Sequence, residues 1–199
     1  MERHIEVFNH EKLPTQAVLQ AACTLFQENT PIFDEENVNE NLASIAMRAT
    51  PVHYRKLLEG HRTLLLAFNT HERVVGLLEW DERDYLRNQD ALLAYIVWLM
   101  VDVPERGKGL STYLHKHFEG RCLPGVIKNT EKTVYQALGV HFQNPAAHIY
   151  RRWGYADQFP SRDGRKLFMF KRPVRLSQNG AIGTNSSPHQ PTLLLPPVA

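Results

Sequence analysis

Cysteine is scarce in this chain of 199 residues, which has only Cys23 and Cys122, far apart in the sequence. Two such cysteines make no disulfide framework, and neither has a partner at metal-ligand spacing. The ten histidines show no HExxH or similar arrangement. The sequence therefore predicts neither a disulfide-stapled fold nor a metal site.

Long apolar runs are also missing. The longest, Ala91–Val101, is about half of the roughly 20 residues that a membrane-spanning helix needs. The N-terminal stretch MERHIEVFNH lacks the basic-then-apolar pattern of a signal peptide. We therefore expect a soluble, cytoplasmic protein with no membrane partner.

A strong excess of charge is absent as well. The chain has 23 Lys and Arg against 21 Asp and Glu, a net charge of +2. Three of the basic residues lie from Lys171 onward, where there is no acidic residue, so residues 1–170 are close to neutral. Nucleic-acid binding requires a basic face, and we expect no nucleic-acid partner.

The apolar residues that are present repeat with the periods of strands and helices. Strands are predicted at 5–8, 63–68, 74–80, 92–103, 134–142 and 167–172. Helices are predicted from Pro14, from about Val38, over 50–60, from Leu110 to about Arg121, and between Asn144 and Gly154. The segment 92–103 has no polar alternation, which favours a central strand covered on both faces over the alternative of a buried helix. The order predicts an α/β or α+β fold with a parallel pair of strands in the middle.

The composition changes near the C-terminal end. From Pro173 the chain is rich in Pro, Ser, Asn, Gln and Gly. Such segments bury too little apolar surface to fold. We therefore predict one domain over residues 1–172 and a mostly disordered tail over 173–199.

A glycine-rich, positively charged corner, Arg106–Ser111, joins the central strand to the next helix. The N–H groups of a first helical turn have no intrahelical partner and attract anions. Glycine permits positive φ and lets a phosphate approach the backbone. A phosphate cradle is therefore predicted, and a tight connection without a ligand is the alternative. The corner is neither a P-loop, since no GKS or GKT follows, nor a dinucleotide fingerprint, since the third glycine is absent.

The stretch VDVPERGKGLSTYL resembles the acetyl-CoA motif R/Q-x-x-G-x-G/A of the GNAT (GCN5-related N-acetyltransferase) superfamily. Arg106 and Gly109 match it, and Ser111 stands where the family usually has Gly or Ala. A second family pattern follows at the expected distance, at Leu138, Val140, Asn144, Ala147 or Ala146, Tyr150, Gly154 and Tyr155. The VVG opening of 74–80 is similar to the family too. The resemblance covers about residues 3–172 and implies a mixed, mostly antiparallel sheet with a splayed parallel pair of middle strands and helices on both faces.

The resemblance also implies an activity and a cosubstrate. It implies an N-acetyltransferase that uses acetyl-CoA and moves the acetyl group to a primary amine by direct attack on the thioester in a ternary complex. The pantetheine arm would bond the main chain between the splayed strands, with the diphosphate on the cradle. The residues implied as cofactor contacts are Leu99, Met100, Val101, Arg106, Gly107, Lys108, Gly109, Leu110, Ser111, Asn144 and Tyr150.

Proton transfer needs side chains as well. By resemblance, Tyr150 is the general acid for the departing thiolate, because a tyrosine with its ordinary pKa of about 10 is protonated at neutral pH. A core tyrosine is the alternative, and Asn144 could contact CoA or cap its helix. The candidate bases are Glu79, expected at a strand end on the same face as Val75 and Leu77, and His141.

Asp81 is a third candidate base, and a chain of water molecules could replace all three. Two acidic segments, PIFDEENVNEN and DERDYLRNQD, are expected to line the acceptor side. An acidic rim would attract a cationic amine, such as a polyamine, a lysine side chain, a peptide N-terminus or an aminoglycoside. A solvated loop surface is the alternative reading of these segments.

A second hypothesis concerns the chain as a whole. A GNAT-like domain could bind CoA, or a protein partner, without catalysis. Many relatives pair through their late strands, which suggests a homodimer.

Overall fold

The computed structural model describes residues 3–30, 46, 49–60, 62–85, 89–171, 174–176 and 182–184. The strands are β1 (His4–Phe8), β2 (Thr63–Phe68), β3 (Val74–Asp84), β4 (Ala91–Val101), β5 (Thr133–His141), β6 (Tyr155–Pro160), β7 (Lys166–Lys171), β8 (Val174–Leu176) and β9 (Ile182–Thr184). The helices are α1 (Gln16–Asn29), α2 (Pro51–Glu59), α3 (Leu110–His117), α4 (Leu123–Lys128) and α5 (Ala147–Arg152). A 3-10 turn spans Val103–Glu105, and a π-helical segment, Phe118–Cys122, joins α3 to α4.

Seven strands form one sheet in the order β1-β2-β3-β4-β5-β7-β6. Its neighbouring strands are antiparallel, except for the parallel pair β4 and β5. The predicted central strand and the predicted parallel pair are therefore confirmed. β8 and β9 form a separate antiparallel hairpin within the predicted tail, and the remaining tail residues lie outside the described ones.

The helices begin where the sequence places caps. The side chain of Thr15 accepts a hydrogen bond from Val18 N–H at the start of α1. Thr50 does the same for His53 in α2, which has Pro51 in its first turn and ends before Gly60. These are the side-chain oxygen cap and the first-turn proline that favour a helix start.

Helices cover both faces of the sheet, as the fold prediction required. On one face, α3, α4 and α5 pack on a core that includes Leu114, Phe118 and Leu138. On the other face, α1 and α2 pack on a core that includes Phe26, Leu58 and Leu66. None of the helices in the described ranges combines the length and apolar character needed to cross a membrane.

Two predicted boundaries were wrong, and one strand was missed. The helix after the glycine corner does not stop near Arg121, because Leu123 and Val126 bury apolar side chains and carry helical structure on to Lys128. β3 extends past Trp80 to Asp84 in its pairing with β4. β6 was not predicted, because most of its residues are exposed and show no apolar alternation.

Irregular pairing around β4 shapes the middle of the sheet. β4 pairs with β5 only from Ala91 to Ile96, whereas it pairs with β3 as far as Val101. The register with β3 shifts at Glu79 and Trp80, so β4 carries one extra residue, Val97. A bulge bends the strand that contains it. Here it lies at the point where β4 and β5 separate, and it opens a gap between their C-terminal halves.

Candidate active site

Main-chain groups line the gap on its β4 side. Asp102 N–H donates to the carbonyl oxygen of Val75 at 3.0 Å, which identifies the hydrogen-bonded positions of the β3–β4 ladder. Antiparallel ladders alternate hydrogen-bonded and non-hydrogen-bonded residues. Leu99 and Val101 therefore direct their N–H and C=O groups into the gap, whereas Met100 directs its own toward β3. Of the three predicted pantetheine contacts in β4, two face the gap.

The glycine corner follows directly from this strand. Gly107 and Gly109 have φ of 75° and 77°, the left-handed region that favours glycine. A Cβ at either position would meet no atom within 4 Å, so the outer side of the corner is open. α3 begins at Leu110, and the first-turn N–H groups of Leu110 and Ser111 have no intrahelical acceptor. The corner therefore presents amides to an open surface, as an anion site requires.

The two cations of the corner have different surroundings. Arg106 donates from Nε to Val101 O at 3.0 Å and from Nη2 to Asn29 Oδ1 at 2.9 Å. Arg106 thus ties the edge of the gap to the last residue of α1. Lys108 Nζ lies 3.4 Å from Glu105 Oε1 and is half-exposed. Both residues are exposed, but the guanidinium of Arg106 is held by Val101 and Asn29, whereas the Lys108 ammonium lies near Glu105.

Tyr150 lies in the short helix α5, which follows the end of β5. Asn144 begins this region, because its Oδ1 accepts from Ala146 N–H at 2.9 Å. The Tyr150 side chain packs edge-on against Trp153 and Tyr155. It is 8% exposed, and burial raises its pKa to about 12. The hydroxyl is therefore protonated at neutral pH, as a proton donor must be.

Glu79 is a buried carboxylate in the middle of β3, not at its end. It is 3% exposed and forms a close ion pair with Arg62. Burial raises the pKa of Glu79, and the cation of Arg62 opposes that rise. Val75 does not share its face as predicted, because β3 has an irregular register near its start and Val75 packs in the core on the opposite side.

The other two candidate bases are engaged by neighbours. His141 Nδ1 accepts from Gln143 N–H at 3.2 Å, so a neutral ring carries its proton on Nε2. Asp81 receives two hydrogen bonds from Arg83, at 2.6 and 2.9 Å, and Arg62 Nε lies 3.2 Å from its second oxygen. The single basic lone pair of a neutral His141 is thus occupied, and Asp81 is paired with two arginines.

The predicted acidic rim is only partly described. The segment PIFDEENVNEN and residues 86–88 lie outside the described residues. In the described part, Asp81 pairs with two arginines, and Asp84 Oδ1 accepts from Lys132 Nζ at 2.7 Å. An open cavity of about 530 Å³ lies beside this region, lined by Lys56, Leu57, Gly60, Arg62, Asp81 and Glu82. Two carboxylates of the rim, Asp81 and Asp84, are thus balanced by cations, and Glu82 lines the cavity.

Sequence reasoning missed Tyr95. This residue precedes Ile96, the last residue of β4 that pairs with β5. Its hydroxyl hydrogen-bonds the main chain of Gly139. A Cβ at Gly139 would come within 2.8 Å of that oxygen, so only glycine leaves room for it. The Arg83 guanidinium lies 4.0 Å over the Tyr95 ring. In an apolar run, Tyr95 looked like a core residue, and only the register with β5 shows that it stands where the gap begins.

Across the described ranges, no group of three or more His, Cys, Asp or Glu side chains is arranged to hold a metal ion. The chemistry that the site can perform with its own groups is anion binding by main-chain amides, proton donation by Tyr150 and proton acceptance by Glu79.

The sheet, its splayed parallel pair and the glycine corner define the fold of the GNAT N-acetyltransferases, and the resemblance seen in the sequence is confirmed at the level of the fold. Among solved structures, the chain is similar to the PaiA N-acetyltransferase from Thermoplasma acidophilum in complex with coenzyme A, with TM-score 0.62 and 16% identity, covering 86% of this chain and 99% of that one. It is also similar to the NatC complex bound to Gag peptide and CoA (TM-score 0.60, 14% identity, 87% and 99% covered). A third similar structure is the aminoglycoside acetyltransferase HMB0005 from an uncultured soil metagenomic sample (TM-score 0.56, 17% identity, 81% and 96% covered). No protein-family model and no curated protein sequence matches the chain.

Proposed function

We propose that the chain is an N-acetyltransferase that transfers an acetyl group from acetyl-CoA directly to a primary amine. One observation carries this proposal. The pairing of β4 with β5 ends at Ile96, and β4 continues to Val101 with main-chain groups facing the gap. An extended amide chain such as pantetheine can add to such an edge in the manner of a strand.

The cofactor contacts follow from the groups that remain available. Val101 O already accepts from Arg106, so the arm would bond Leu99 N–H and C=O and Val101 N–H. The diphosphate would lie on the open side of the glycine corner, against the first-turn amides of α3 and near Lys108. A helix N-terminus and a cation both favour such an anion.

The reaction needs three contributions from the chain. The amine nitrogen bonds to the carbonyl carbon of the thioester, and the carbon–sulfur bond then breaks. Main-chain N–H groups at the start of the gap stabilise the developing oxyanion. The Tyr150 hydroxyl gives a proton to the departing sulfur, and the proton lost by the amine passes to a base.

Glu79 is the base that the described contacts favour. Burial raises its pKa, which makes the carboxylate a better proton acceptor. It lies opposite Trp98 in the ladder, beside the bulge where the gap begins, and its partner Arg62 lines the open cavity. A water molecule in that cavity would connect Glu79 to the amine. His141 is less suited, because its Nδ1 lone pair already accepts a hydrogen bond.

The acceptor is proposed to be a peptide or protein amine and not a polyamine. A polyamine needs several uncompensated carboxylates, whereas two of the described rim carboxylates, Asp81 and Asp84, are paired with cations and Glu82 is the one that lines the cavity without an ion pair. Half-buried aromatic side chains lie on the same face as α1, at Tyr95, Tyr135 and Phe168. Aromatic side chains bind the apolar parts of a peptide. Similar structures include both a peptide complex and an aminoglycoside enzyme, so the fold alone does not favour either acceptor.

A second candidate is a domain that binds CoA without transferring acetyl groups. The observation that favours it is the ion pairing of Glu79 with Arg62, which engages the candidate base. Thermal-shift measurements with acetyl-CoA first separate both candidates from a domain that binds no cofactor. Release of free thiol from acetyl-CoA, measured with short peptides, spermidine and an aminoglycoside, then decides between them. Release with peptides supports the proposal, and binding without release with any amine supports the second candidate.

A further inference from the structure

Four polar side chains form a closed ring beneath α5, and we call them the four-residue ring: His115, Glu119, Gln136 and Tyr155. Gln136 Nε2 donates to Glu119 Oε1 at 3.0 Å, and the Tyr155 hydroxyl donates to Gln136 Oε1 at 3.0 Å. His115 Nε2 lies 3.1 Å from the Tyr155 oxygen. His115 Nδ1 lies 3.4 Å from Glu119 Oε2 and closes the ring.

With the Tyr155 hydroxyl donating to Gln136, the positions of the other protons follow. The Glu119 carboxylate only accepts, so Gln136 must present its amide nitrogen to it and its oxygen to Tyr155. The Tyr155 hydroxyl then donates its single proton to Gln136 and must accept a hydrogen bond from His115. A neutral His115 therefore carries its proton on Nε2.

When His115 is neutral, the four-residue ring has one proton fewer than it has contacts. Gln136, Tyr155 and neutral His115 supply three protons for four contacts. The unprotonated Nδ1 of His115 then faces the Glu119 carboxylate, and this contact is the longest of the four, at 3.4 Å. A fourth proton, on His115, would give every contact in the ring a proton.

The surroundings keep His115 neutral. It is 2% exposed, and burial lowers its pKa to about 4; the Glu119 carboxylate opposes this shift, and the Lys171 cation adds to it. Lys171 Nζ donates to Glu119 Oε1 at 2.5 Å and so balances that charge. The other titratable groups are Tyr155, within the ring, and Tyr150, which packs against Tyr155, and burial raises the pKa of both.

The ring is linked to Tyr150 through one aromatic side chain. The His115 imidazole stacks on the Trp153 indole, with centroids 4.3 Å apart and planes 19° apart. Trp153 in turn packs edge-on against Tyr150 at 5.6 Å. Tyr150 lies in α5 and Trp153 directly follows that helix, so the plane of His115 sets the surface on which Tyr150 rests.

We propose that His115 is a positioning residue for Tyr150. The four-residue ring, with three protons for its four contacts, holds the His115 imidazole in the Nε2–H tautomer and in the plane that supports Trp153. This inference rests on the proposed function, in which Tyr150 donates a proton to CoA. The ring itself can be tested without any activity.

The tautomer of His115 is the first test, by ¹⁵N NMR of the imidazole nitrogens in the unaltered chain. We expect the Nε2–H form at neutral pH. In Tyr155→Phe, which removes the acceptor at Nε2, His115 should change to the Nδ1–H form and donate to Glu119. The proposal would be overturned by an Nδ1–H tautomer or a charged imidazole of His115 in the unaltered chain at neutral pH. It would also be overturned if the His115 tautomer did not change in Tyr155→Phe.

The link to Tyr150 is tested by a double-mutant cycle. His115→Phe keeps an aromatic ring for Trp153 but removes both nitrogens, and we expect kcat to fall by about tenfold, the value of a lost hydrogen bond, with KM for acetyl-CoA unchanged. In the Tyr150→Phe background the same change should have no further effect, because coupled residues are not additive. His117→Phe, on the same helix but outside the ring, is the matched control.

An equal loss from His115→Phe in both backgrounds, or no loss in either, would show that His115 does not act through Tyr150. Should His115→Phe fail to fold, Tyr155→Phe replaces it in the same cycle with the same expectation. If the unaltered chain acetylates no amine, the proposed function fails, and the tautomer measurements alone decide on the ring.

Discussion

The guanidinium of Arg106 donates to the carbonyl oxygen of Val101 at 3.0 Å, at the edge of the gap between β4 and β5. The same side chain reaches Asn29 at the end of α1. The sequence suggests that Arg106 supplies positive charge at the glycine corner. In the structure Arg106 also holds the end of β4, the strand that would bond pantetheine.

Arg106→Lys should weaken acetyl-CoA binding more than it slows the reaction. A lysine cannot reproduce the two-sided contact of the guanidinium, and a lost hydrogen bond from a charged group costs about 1.5–3 kcal/mol. We expect the Kd for acetyl-CoA, measured by calorimetry, to rise at least tenfold, the equivalent of about 1.4 kcal/mol. Arg121→Lys, at an exposed position, is the control. An unchanged Kd would mean that Arg106 does not brace the cofactor strand.

Gly109→Ala should lower both stability and cofactor affinity. Its φ of 77° costs an L-residue about 1–2 kcal/mol, and the added methyl would point to the open side where the diphosphate is proposed to lie. Thermal unfolding should show the loss of stability, and calorimetry a larger loss of acetyl-CoA affinity. Gly125→Ala is a matched control, because that glycine also has open space around it but no positive φ. Equal affinities for the two variants would contradict the cradle.

Tyr150→Phe should lower kcat and leave the KM for acetyl-CoA nearly unchanged. A general acid contributes about 10²- to 10⁴-fold, and only the hydroxyl is removed from a side chain whose ring packs on Trp153 and Tyr155. Steady-state kinetics at saturating acetyl-CoA measures the effect. Tyr113→Phe, on the exposed side of α3, is the control, and full activity in Tyr150→Phe would remove the acid from the mechanism.

Glu79→Gln should change how stability depends on pH. Because burial raises the pKa of Glu79 in the folded state, folding favours the protonated form. Its contribution to stability is therefore present below the ordinary glutamate pKa and is lost as the pH rises through the raised pKa. Melting temperatures measured from pH 4 to 8 should show this loss in the unaltered chain and not in Glu79→Gln.

The same substitution tests the base. In the unaltered chain, the fall of kcat/KM at acidic pH should have an apparent pKa above the ordinary glutamate value. In Glu79→Gln this fall should disappear. Unchanged pH profiles of both stability and rate would show that Glu79 has neither the raised pKa nor the role assigned to it.

The sequence predicted those parts of the site that depend on local patterns. Gly107 and Gly109 identified the corner because positive φ is a local requirement, and the unalternating apolar run identified β4 because burial on both faces leaves that pattern. The family spacing led to Tyr150. Each of these features is encoded in one short, continuous stretch of chain.

The remainder depends on contacts between distant segments. The extra residue Val97 determines which main-chain groups of β4 face the gap. No residue type in β4 indicates the position of this bulge. Tyr95 resembles an ordinary core residue in the sequence, and only its pairing with Ala137 of β5 shows that its hydroxyl reaches Gly139. The position of the Arg106 guanidinium depends on Asn29, which is 77 residues away.

The most direct test of the gap as the cofactor site is the response of three backbone amides to acetyl-CoA, followed by NMR. Leu99 and Val101 N–H should shift and gain protection from hydrogen exchange when acetyl-CoA binds, whereas Met100 N–H, already bonded to β3, should keep the protection that it has. Unchanged Leu99 and Val101 amides at saturating acetyl-CoA would contradict the proposed cofactor site.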